Sequence, residues 1–494
     1  MTEPNAPALL AGVAKVEITA GLAVQTDDPL YERVAADTRN DPLYAKALVL
    51  QQGDTRVALV TVDAVAVAEI GTIDSGYLDR VRARLADEVG VAAENVLVNA
   101  SHCHGVVCDD VDAKTVAAVR SAAATLVPVK AGAGRGLEDR IMENRRLKMR
   151  DGSEADVRRA YALPPDEEVE GVGPVDPEIG ILRLDTLDGE TLAVLFNFAC
   201  HPIQGVPSGG NTADISGFAA QVIEEHTGCT AFFLQGCGAD INPVLYKDTD
   251  NPPDAEPLGT LLGLSTLRAL KGIKSAGEAR LACVRRRLNL PRADLAPAID
   301  ALRAEQERLL QALQGTSLNF KEFVPLLVKH SLGGAYPAYA AHRYLHEEKM
   351  GCGHLKKLDA DNRAALEAYI ANIHVMEALT RVKANLGLLE KHHRKNQAAP
   401  GPTVEAEVLG LRVGDFVLLT FPGELPVEIG LGIKARSPHA CTFVAGVTNG
   451  YLYYTPTVEQ MENRGGAQED SDCLLAAEWQ ALFESEAADV LQVL

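Results

Sequence analysis

The feature that most constrains the fold of this chain is an alternation, from Gly12 to about Pro291, of short apolar runs with segments of helical periodicity. The apolar runs are rich in β-branched residues, which favour buried strands. The candidate strands in this part are Ala45–Leu50, Val57–Val62, Val96–Val98, Ile179–Leu184, Leu192–Ala199 and Ala231–Leu234. The segments with helical spacing between them include Asp79–Glu88 and Phe218–Glu225. Such alternation is typical of layered sheets and helices, so the sequence predicts an α/β fold.

A stretch of different composition interrupts this pattern at residues 295–396. Ala, Leu, Glu, Lys and Arg dominate there with helical periodicity, most clearly in Ala298–Leu313 and Asn362–Leu389. Gly and Pro around Ser331–Pro337 break any continuous helix. We therefore predict a mostly helical insertion within one catalytic domain that spans residues 1–494. Composition does not decide whether this insertion covers a cleft or contacts another subunit.

The strand pattern returns after the insertion. Gln397–Val404, which contains Gly and Pro, is predicted to be a linker. The elements predicted after it are the strands Asp415–Phe421 and Thr442–Val447 and a helix from about Leu474 to Val490. A Gly-rich stretch earlier in the chain, Gly132–Gly136, lacks the spacing of a dinucleotide-binding motif. A short surface loop accounts for it, and an NAD- or phosphate-dependent enzyme is a weak alternative.

The overall charge limits the classes of partner. The chain has 494 residues, nine cysteines and a formal net charge of −21. Binding of nucleic acid or anionic membranes depends on clustered Lys and Arg, and no basic stripe is present. The first residues lack a secretory signal pattern, no apolar run reaches membrane-spanning length, and the odd number of cysteines indicates free thiols. We expect a cytoplasmic protein that acts on a small-molecule substrate, binds no nucleic acid and is not inserted in a membrane; homo-oligomerisation stays open.

Chemically capable side chains follow three of the predicted strands. His102 and His104 follow a strand in ENVLVNASHCHG, His201 ends the run TLAVLFNFACHP, and Glu424 follows DFVLLTFPGELP. In open α/β sheets the binding crevice lies beyond the carboxyl ends of the strands, so these residues are expected to converge. If the backbone is extended at His102 and His104, both imidazoles face the same side. Surface or capping histidines, and a solvated Glu in a turn, are the alternatives.

Two further segments are more ambiguous. TAFFLQGCGADINP places Gly236 and Gly238 before Asp240, which either caps a turn or takes a direct catalytic part. TNGYLYYTPT contains three tyrosines, which in a strand are usually packing residues. Two histidines and a glutamate with an open position for water form the ligand set of catalytic zinc, and hard magnesium or calcium sites fit less well. Zinc would lower the pKa of water to roughly 7 and polarise a carbonyl, as hydrolysis of amides, esters or lactones requires.

In these same segments the chain resembles the neutral/alkaline ceramidase family, in particular the catalytic domain of its bacterial members. The matching motifs occur in family order and are GVAKVEIT, NASHCHG, ENRRLKMRDGS, GPVDPEIGILRLD, LFNFACHP, FLQGCGADINP, FPGEL and TNGYLYYTPT. The helical region matches least. The resemblance implies an α/β catalytic domain, with the sequence stopping where the family's C-terminal immunoglobulin-like domain would begin.

The resemblance also implies roles for individual residues. The zinc ligands would be His102, His201, Glu424 and Tyr454. Tyr454 is included because the family ligand is the second tyrosine of an N-x-Y-x-x-Y pattern. His104 would be a proton donor or oxyanion partner, and Arg145 would grip the substrate.

The sequence departs from the family pattern at two places. Asn242 stands where ceramide-cleaving members have a serine in a GDxSP motif, and a later family tyrosine is absent from Arg464–Ala467. A membrane sphingolipid is therefore a doubtful substrate. We expect a zinc-dependent hydrolase that cleaves an amide bond in a small soluble N-acyl compound. A lactone or ester hydrolase and a non-catalytic ligand-binding protein are the alternatives.

Overall fold

The computed structural model describes residues 7–20, 39–157, 163–244, 246, 248, 250–333, 336–337 and 341–494. Its strands are β1 (Leu10–Glu17), β2 (Tyr44–Gln52), β3 (Thr55–Val62), β4 (Val96–Ala100), β5 (Val127–Leu137), β6 (Met142–Asn144), β7 (Arg146–Met149), β8 (Glu154–Asp156), β9 (Val169–Val172), β10 (Glu178–Thr186), β11 (Thr191–Phe198), β12 (Thr230–Gln235), β13 (Ile241–Pro243), β14 (Leu281–Pro291), β15 (Thr403–Val413), β16 (Phe416–Thr420) and β17 (Cys441–Ala445). Its helices are α1 (Tyr77–Glu88), α2 (Val111–Ala124), α3 (Asp214–Thr227), α4 (Ala255–Leu270), α5 (Ala296–Ala312), α6 (Phe320–Leu332), α7 (Ala341–Lys349), α8 (His354–Ala398), α9 (Val427–Arg436), α10 (Val458–Glu462), α11 (Gln468–Ser471) and α12 (Trp479–Val493). The predicted α/β class is confirmed.

Two sheets form the centre of the molecule. The larger sheet has the strand order β12-β11-β10-β5-β1-β2-β3-β4, and the smaller has the order β14-β15-β16-β17. Leucines of the larger sheet, such as Leu48 and Leu182, pack against Leu418 and Phe443 of the smaller one in a single buried cluster. Helices α3 and α4 contribute to a second cluster on the larger sheet, around Ile215 and Leu262. Burial of this apolar surface on both faces holds the layers together.

Three neighbouring strand pairs in these sheets are parallel, and the others are antiparallel. The parallel pairs are β3 with β4, β11 with β12, and β16 with β17. Asn99 of β4 joins all three, because its side chain accepts from Gln235 N at 3.0 Å and donates to Gly446 O at 2.8 Å. Gly446 N in turn donates to Gln235 O at 3.0 Å. The carboxyl ends of the three pairs therefore meet in one place.

Each strand predicted from an apolar run overlaps an observed strand, and its bounds differ from the observed ones by at most two residues. The interpretation of Gly132–Gly136 as a surface loop is wrong, because these residues lie inside β5 and pair with β10. A Cβ at Gly134 would lie 2.5 Å from Cγ1 of Ile273, so glycine is needed where the segment after α4 packs on the strand. The absence of side chains here serves close packing.

Residues 295–396 are mostly helical, as predicted, but the helices have different bounds. Helix α8 is a single helix of 45 residues, and it ends at Ala398, the second residue of the predicted linker Gln397–Val404. The end of that segment already belongs to β15, whose strand character was missed. The C-terminal helix begins at Trp479, later than the predicted Leu474. None of the described helices, α8 included, has the length and apolar character needed to cross a membrane.

Two glycine substitutions are expected to change stability in opposite directions. Gly387→Ala should raise the free energy of unfolding by about 1 kcal/mol, because glycine lowers stability inside a helix and its new Cβ meets no atom within 4 Å. Gly180→Ala should lower it by about 1–3 kcal/mol through overpacking, because its Cβ would lie 2.2 Å from the ring of Phe443 between the sheets. Thermal unfolding of the two variants and the wild type measures both signs. Shifts of the same sign would contradict this account of the packing.

Candidate metal centre

The structure brings His102, His201 and Glu424 together in the interior. Each follows one of the parallel pairs: His102 follows β4, His201 follows β11 and Glu424 follows β16. His201 Nε2 lies 3.0 Å and His102 Nε2 lies 3.4 Å from Glu424 Oε2. The potential ligand atoms of all three residues lie within 4.8 Å of one another, and all three side chains are buried. A single ion can therefore reach all three side chains.

The hydrogen bonds of the two histidines determine which ring nitrogen is available. His102 Nδ1 lies 2.6 Å from Val65 O, and His201 Nδ1 contacts Gly238 O. A carbonyl oxygen only accepts, so each Nδ1 carries the proton and each Nε2 of the neutral ring presents a lone pair. Burial, aided by the charge of Arg145, lowers the pKa of His201 to about 4 and keeps that ring neutral at pH 7.

The carboxylate of Glu424 completes a set of three acceptors. Burial by itself raises the pKa of Glu424, but His102 and His201 in their protonated forms outweigh burial and bring the pKa well below its ordinary value. The hydroxyl of Tyr451 donates to Oε1, which leaves Oε2 facing the imidazoles. Burial raises the pKa of Tyr451 and keeps it a donor. With both rings neutral, two nitrogen lone pairs and an anionic oxygen face one point, and no hydrogen-bond donor lies between them. These are the ligand types that a divalent transition-metal ion binds.

The backbone around the centre is strained. His102 has a φ of 66°, and Asn449 and Tyr453 each have a φ of 58°. From the sequence, His102 and His104 are expected to share a face because the backbone is extended there, and that reason is wrong, since the backbone at His102 is left-handed. Both rings nevertheless line one cavity, with their centroids 5.7 Å apart. Left-handed backbone in non-glycine residues costs free energy and is concentrated at functional sites.

The tyrosine segment lies beside Glu424 and is not ordinary strand packing. Glu424 N donates to Tyr453 O at 2.9 Å, and Thr455 N donates to Glu424 O at 3.0 Å. This pairing places Tyr454 next to the carboxylate, where its hydroxyl accepts from Arg145 Nη2 at 3.1 Å. Tyr451, which the sequence interpretation did not single out, is the tyrosine that hydrogen-bonds Glu424. Its place in the N-x-Y-x-x-Y pattern was the available signal.

Arg145 is buried and fully engaged with protein groups. Its guanidinium donates to Glu469 at 2.6 Å, to Asn242 at 3.0 Å, to Ala239 O and to Tyr454. Asn242, the residue that replaces the family serine, therefore orients Arg145. The arginine borders the cavity, but its donors point into this network. This arrangement suits a residue that positions Tyr454 more than one that grips a substrate.

Asp240 is also buried, and its carboxylate accepts hydrogen bonds from one backbone group and one side chain. Its Oδ1 accepts from Val427 N at 2.9 Å at the start of α9, and its Oδ2 accepts from Asn144 Nδ2 at 2.9 Å. Asp240 is not among the described residues that line the cavity. The geometry favours the turn-capping alternative of the sequence interpretation over direct catalysis.

The three residues open into a cavity of about 760 Å³. His104, Tyr454 and Asp472 line it together with the apolar side chains of Ile70 and Ile203. Its opposite wall consists of one face of α8, formed by Thr380, Lys383, Ala384, Gly387, Leu388 and Lys391. The helical region therefore covers a cleft, which is the first of the two possibilities that composition left open.

Solved structures show what this arrangement of sheets is similar to. The neutral ceramidase from Pseudomonas aeruginosa superimposes with a TM-score of 0.60 over 99% of this chain and 74% of its own length, at 16% sequence identity. A ceramidase complexed with C2 superimposes with a TM-score of 0.62 over 98% of this chain and 75% of its own, at 18% identity. The chain has the neutral ceramidase fold. Scans against protein-family models and curated proteins find no match. The fold expected from the motifs is thereby confirmed, and the roles of individual residues in this ceramidase-like fold stay predictions.

Metal binding is expected to depend on the ligands and on Tyr451 to different degrees. His201→Ala should abolish binding of one equivalent of Zn²⁺, whereas Tyr451→Phe should weaken it by about 10–100-fold, as loss of an outer-shell hydrogen bond does. Tyr369→Phe is the control, because Tyr369 stacks on Phe323 away from the cavity. Competition titration with a fluorescent chelator measures all three. Wild-type affinity in His201→Ala would remove the basis for the centre.

The pH dependence of stability tests the role of Asp240. Burial raises its pKa from 3.8 to about 6. The folded protein holds this proton up to about pH 6 and the unfolded chain loses it near 3.8, so stability falls as pH rises through that window. Relative to Asp240→Asn, the free energy of unfolding of the wild type should fall by up to about 3 kcal/mol between pH 4 and 6, and it should not fall further above pH 6. Urea unfolding at several pH values measures the difference. A difference in unfolding free energy between the two proteins that does not change with pH would contradict this account. If the activity of Asp240→Asn also changed its dependence on acidic pH, Asp240 would instead have a catalytic role.

Proposed function

We propose that this protein is a zinc-dependent hydrolase that cleaves the amide bond of a small N-acyl compound. The observation that carries the proposal is the buried convergence of His102 Nε2, His201 Nε2 and Glu424 Oε2 at the floor of a cavity. Two histidines and a glutamate with room for water form a catalytic zinc set. The shared fold with neutral ceramidases supports amide hydrolysis as the reaction class.

Zinc held by these residues would polarise the substrate carbonyl and lower the pKa of water to roughly 7. The chain's own groups supply the rest. The carbonyls of Val65 and Gly238 hold the two imidazoles in the tautomer that presents Nε2 inward. Tyr451 holds the carboxylate of Glu424 so that one oxygen is directed at both rings.

His104 and Tyr454 are the groups proposed to act on the substrate. Both line the cavity beside the three proposed ligands. His104 is partly exposed to the cavity, so its imidazole is suited to give a proton to the departing amine nitrogen. The hydroxyl of Tyr454, held by Arg145, is placed either to join the metal ligands or to donate to the oxyanion.

Matched substrates test the reaction class. Zinc-loaded protein is assayed on an octanoyl amide, the corresponding ester, a lactone of similar length and a fluorescent ceramide. We expect hydrolysis of the soluble amide, and its loss after chelation and in His201→Ala. Activity confined to the lactone or the ester would overturn the amide assignment. Metal binding without activity on any of them would indicate a ligand-binding protein.

A variant of His104 tests its proposed role separately. His104→Ala should lower kcat by about 10²–10⁴-fold, the usual contribution of a general acid, while Zn²⁺ affinity stays at the wild-type value. The matched control is His226→Ala, which removes an exposed histidine of α3 and should leave both kcat and Zn²⁺ affinity unchanged. Loss of metal in His104→Ala would instead identify a ligand or a structural residue.

A further inference from the structure

We propose that the substrate carries a carboxylate, as an N-acyl amino acid does, and that Lys383 and Lys391 of α8 recognise it. This inference rests on the proposed function, because it names the substrate class of the same cavity. It starts from the charges on the cavity wall. Among the described residues, these two lysines are the charged groups of the wall for which no salt bridge or hydrogen bond is found.

The acidic groups at the cavity are already paired. Glu69 forms a salt bridge with Lys395, and Asp472 lies 2.5 Å from Nε2 of His392. Glu424 faces the two histidines of the proposed metal centre. On the basic side, Arg145 is held by Glu469 at 2.6 Å. Each of these groups thus has a hydrogen-bond or ion-pair partner within the protein.

Lys383 and Lys391 are different. Both line the cavity and both are exposed, and neither forms a salt bridge with any residue that the structure describes. The ammonium group of Lys391 lies 4.5 Å from the centre of the Tyr453 ring, which itself borders the cavity. This cation–π contact holds the amine at the cavity wall without neutralising it.

The spacing of the two lysines leaves room for a ligand between them. They lie eight residues apart on one face of α8, which separates their Cα atoms by about 12 Å along the helix axis. Gly387 lies midway, and a Cβ there would meet nothing within 4 Å. The wall between the amines is therefore open, with Ala384 and Leu388 beside it.

The rest of the cavity suits an acyl chain. Ile70 and Ile203 face the same space as Ala384 and Leu388, so an apolar group can lie against them. An apolar wall with two cations that form no salt bridge to the described residues matches an amphipathic anion. The net charge of −21 does not oppose this, because charges beyond about 8 Å are screened at physiological ionic strength.

Paired substrates that differ only in charge test the proposal. Octanoylglycine and octanoylglycinamide are compared with zinc-loaded wild type, Lys383→Gln, Lys391→Gln and the double variant. We expect kcat/KM of the wild type to favour the carboxylate by about tenfold, which corresponds to roughly 1.4 kcal/mol. Each variant should raise KM for octanoylglycine, leave kcat nearly unchanged and leave octanoylglycinamide unaffected.

The control is Lys357→Gln, which removes an exposed lysine of the same helix that does not line the cavity. A second measurement does not need catalysis: binding of octanesulfonylglycine, whose sulfonamide resists amide hydrolysis, is followed by calorimetry. Its affinity should fall in the double variant and stay unchanged in Lys357→Gln. Equal affinity in the double variant and the wild type, or equal rates on the two glycine compounds, would overturn the proposal. Lysine-dependent binding without hydrolysis of any amide would keep the anion site and refute the proposed function instead.

Discussion

The physical constraint on which this structure depends is the burial of three hydrogen-bond acceptors at one point. His102, His201 and Glu424 direct two nitrogen lone pairs and a carboxylate oxygen at one another across 3.0–3.4 Å. Without a cation that arrangement is unfavourable, because buried acceptors need a donor or a metal. The surrounding hydrogen bonds all maintain it: two carbonyls hold the imidazole tautomers, and the Tyr451 hydroxyl holds the carboxylate. The site is therefore prepared for a metal by the protein around it.

The sheets supply the rigidity that this arrangement needs. The three proposed ligands follow the three parallel strand pairs, and Asn99 joins the ends of these pairs through two hydrogen bonds. The left-handed backbone at His102 is kept in place by this framework, since strain persists only where the surroundings over-determine it. Asn449, also left-handed, hydrogen-bonds back to β4 through Val98 N at 2.7 Å. Left-handed backbone and the hydrogen bonds that hold it in place therefore occur in the same part of the structure.

Helix α8 gives the cavity its character. The candidate metal centre is lined mainly by residues that follow strands, whereas the opposite wall comes from one helix that contributes both apolar and basic side chains. In the proposed function, bond cleavage and selection of the substrate therefore belong to different parts of the chain. If α8 selects the substrate as proposed, a change in α8 would alter what binds without disturbing His102, His201 or Glu424, and one fold could serve different substrates.

The α/β class, eight of the twelve strands in the two central sheets and the three proposed ligands could be predicted from the sequence, because buried strands require apolar runs and polar groups beyond strand ends are conspicuous. It misplaced Gly132–Gly136, since a glycine that makes room for packing has the same local signal as one in a loop. The tertiary structure alone decided that Tyr451 supports Glu424, that Arg145 and Asp240 are engaged with protein groups, and that α8 covers the cavity. These are contacts between residues far apart in the chain, and local propensity carries no information about which distant groups will meet.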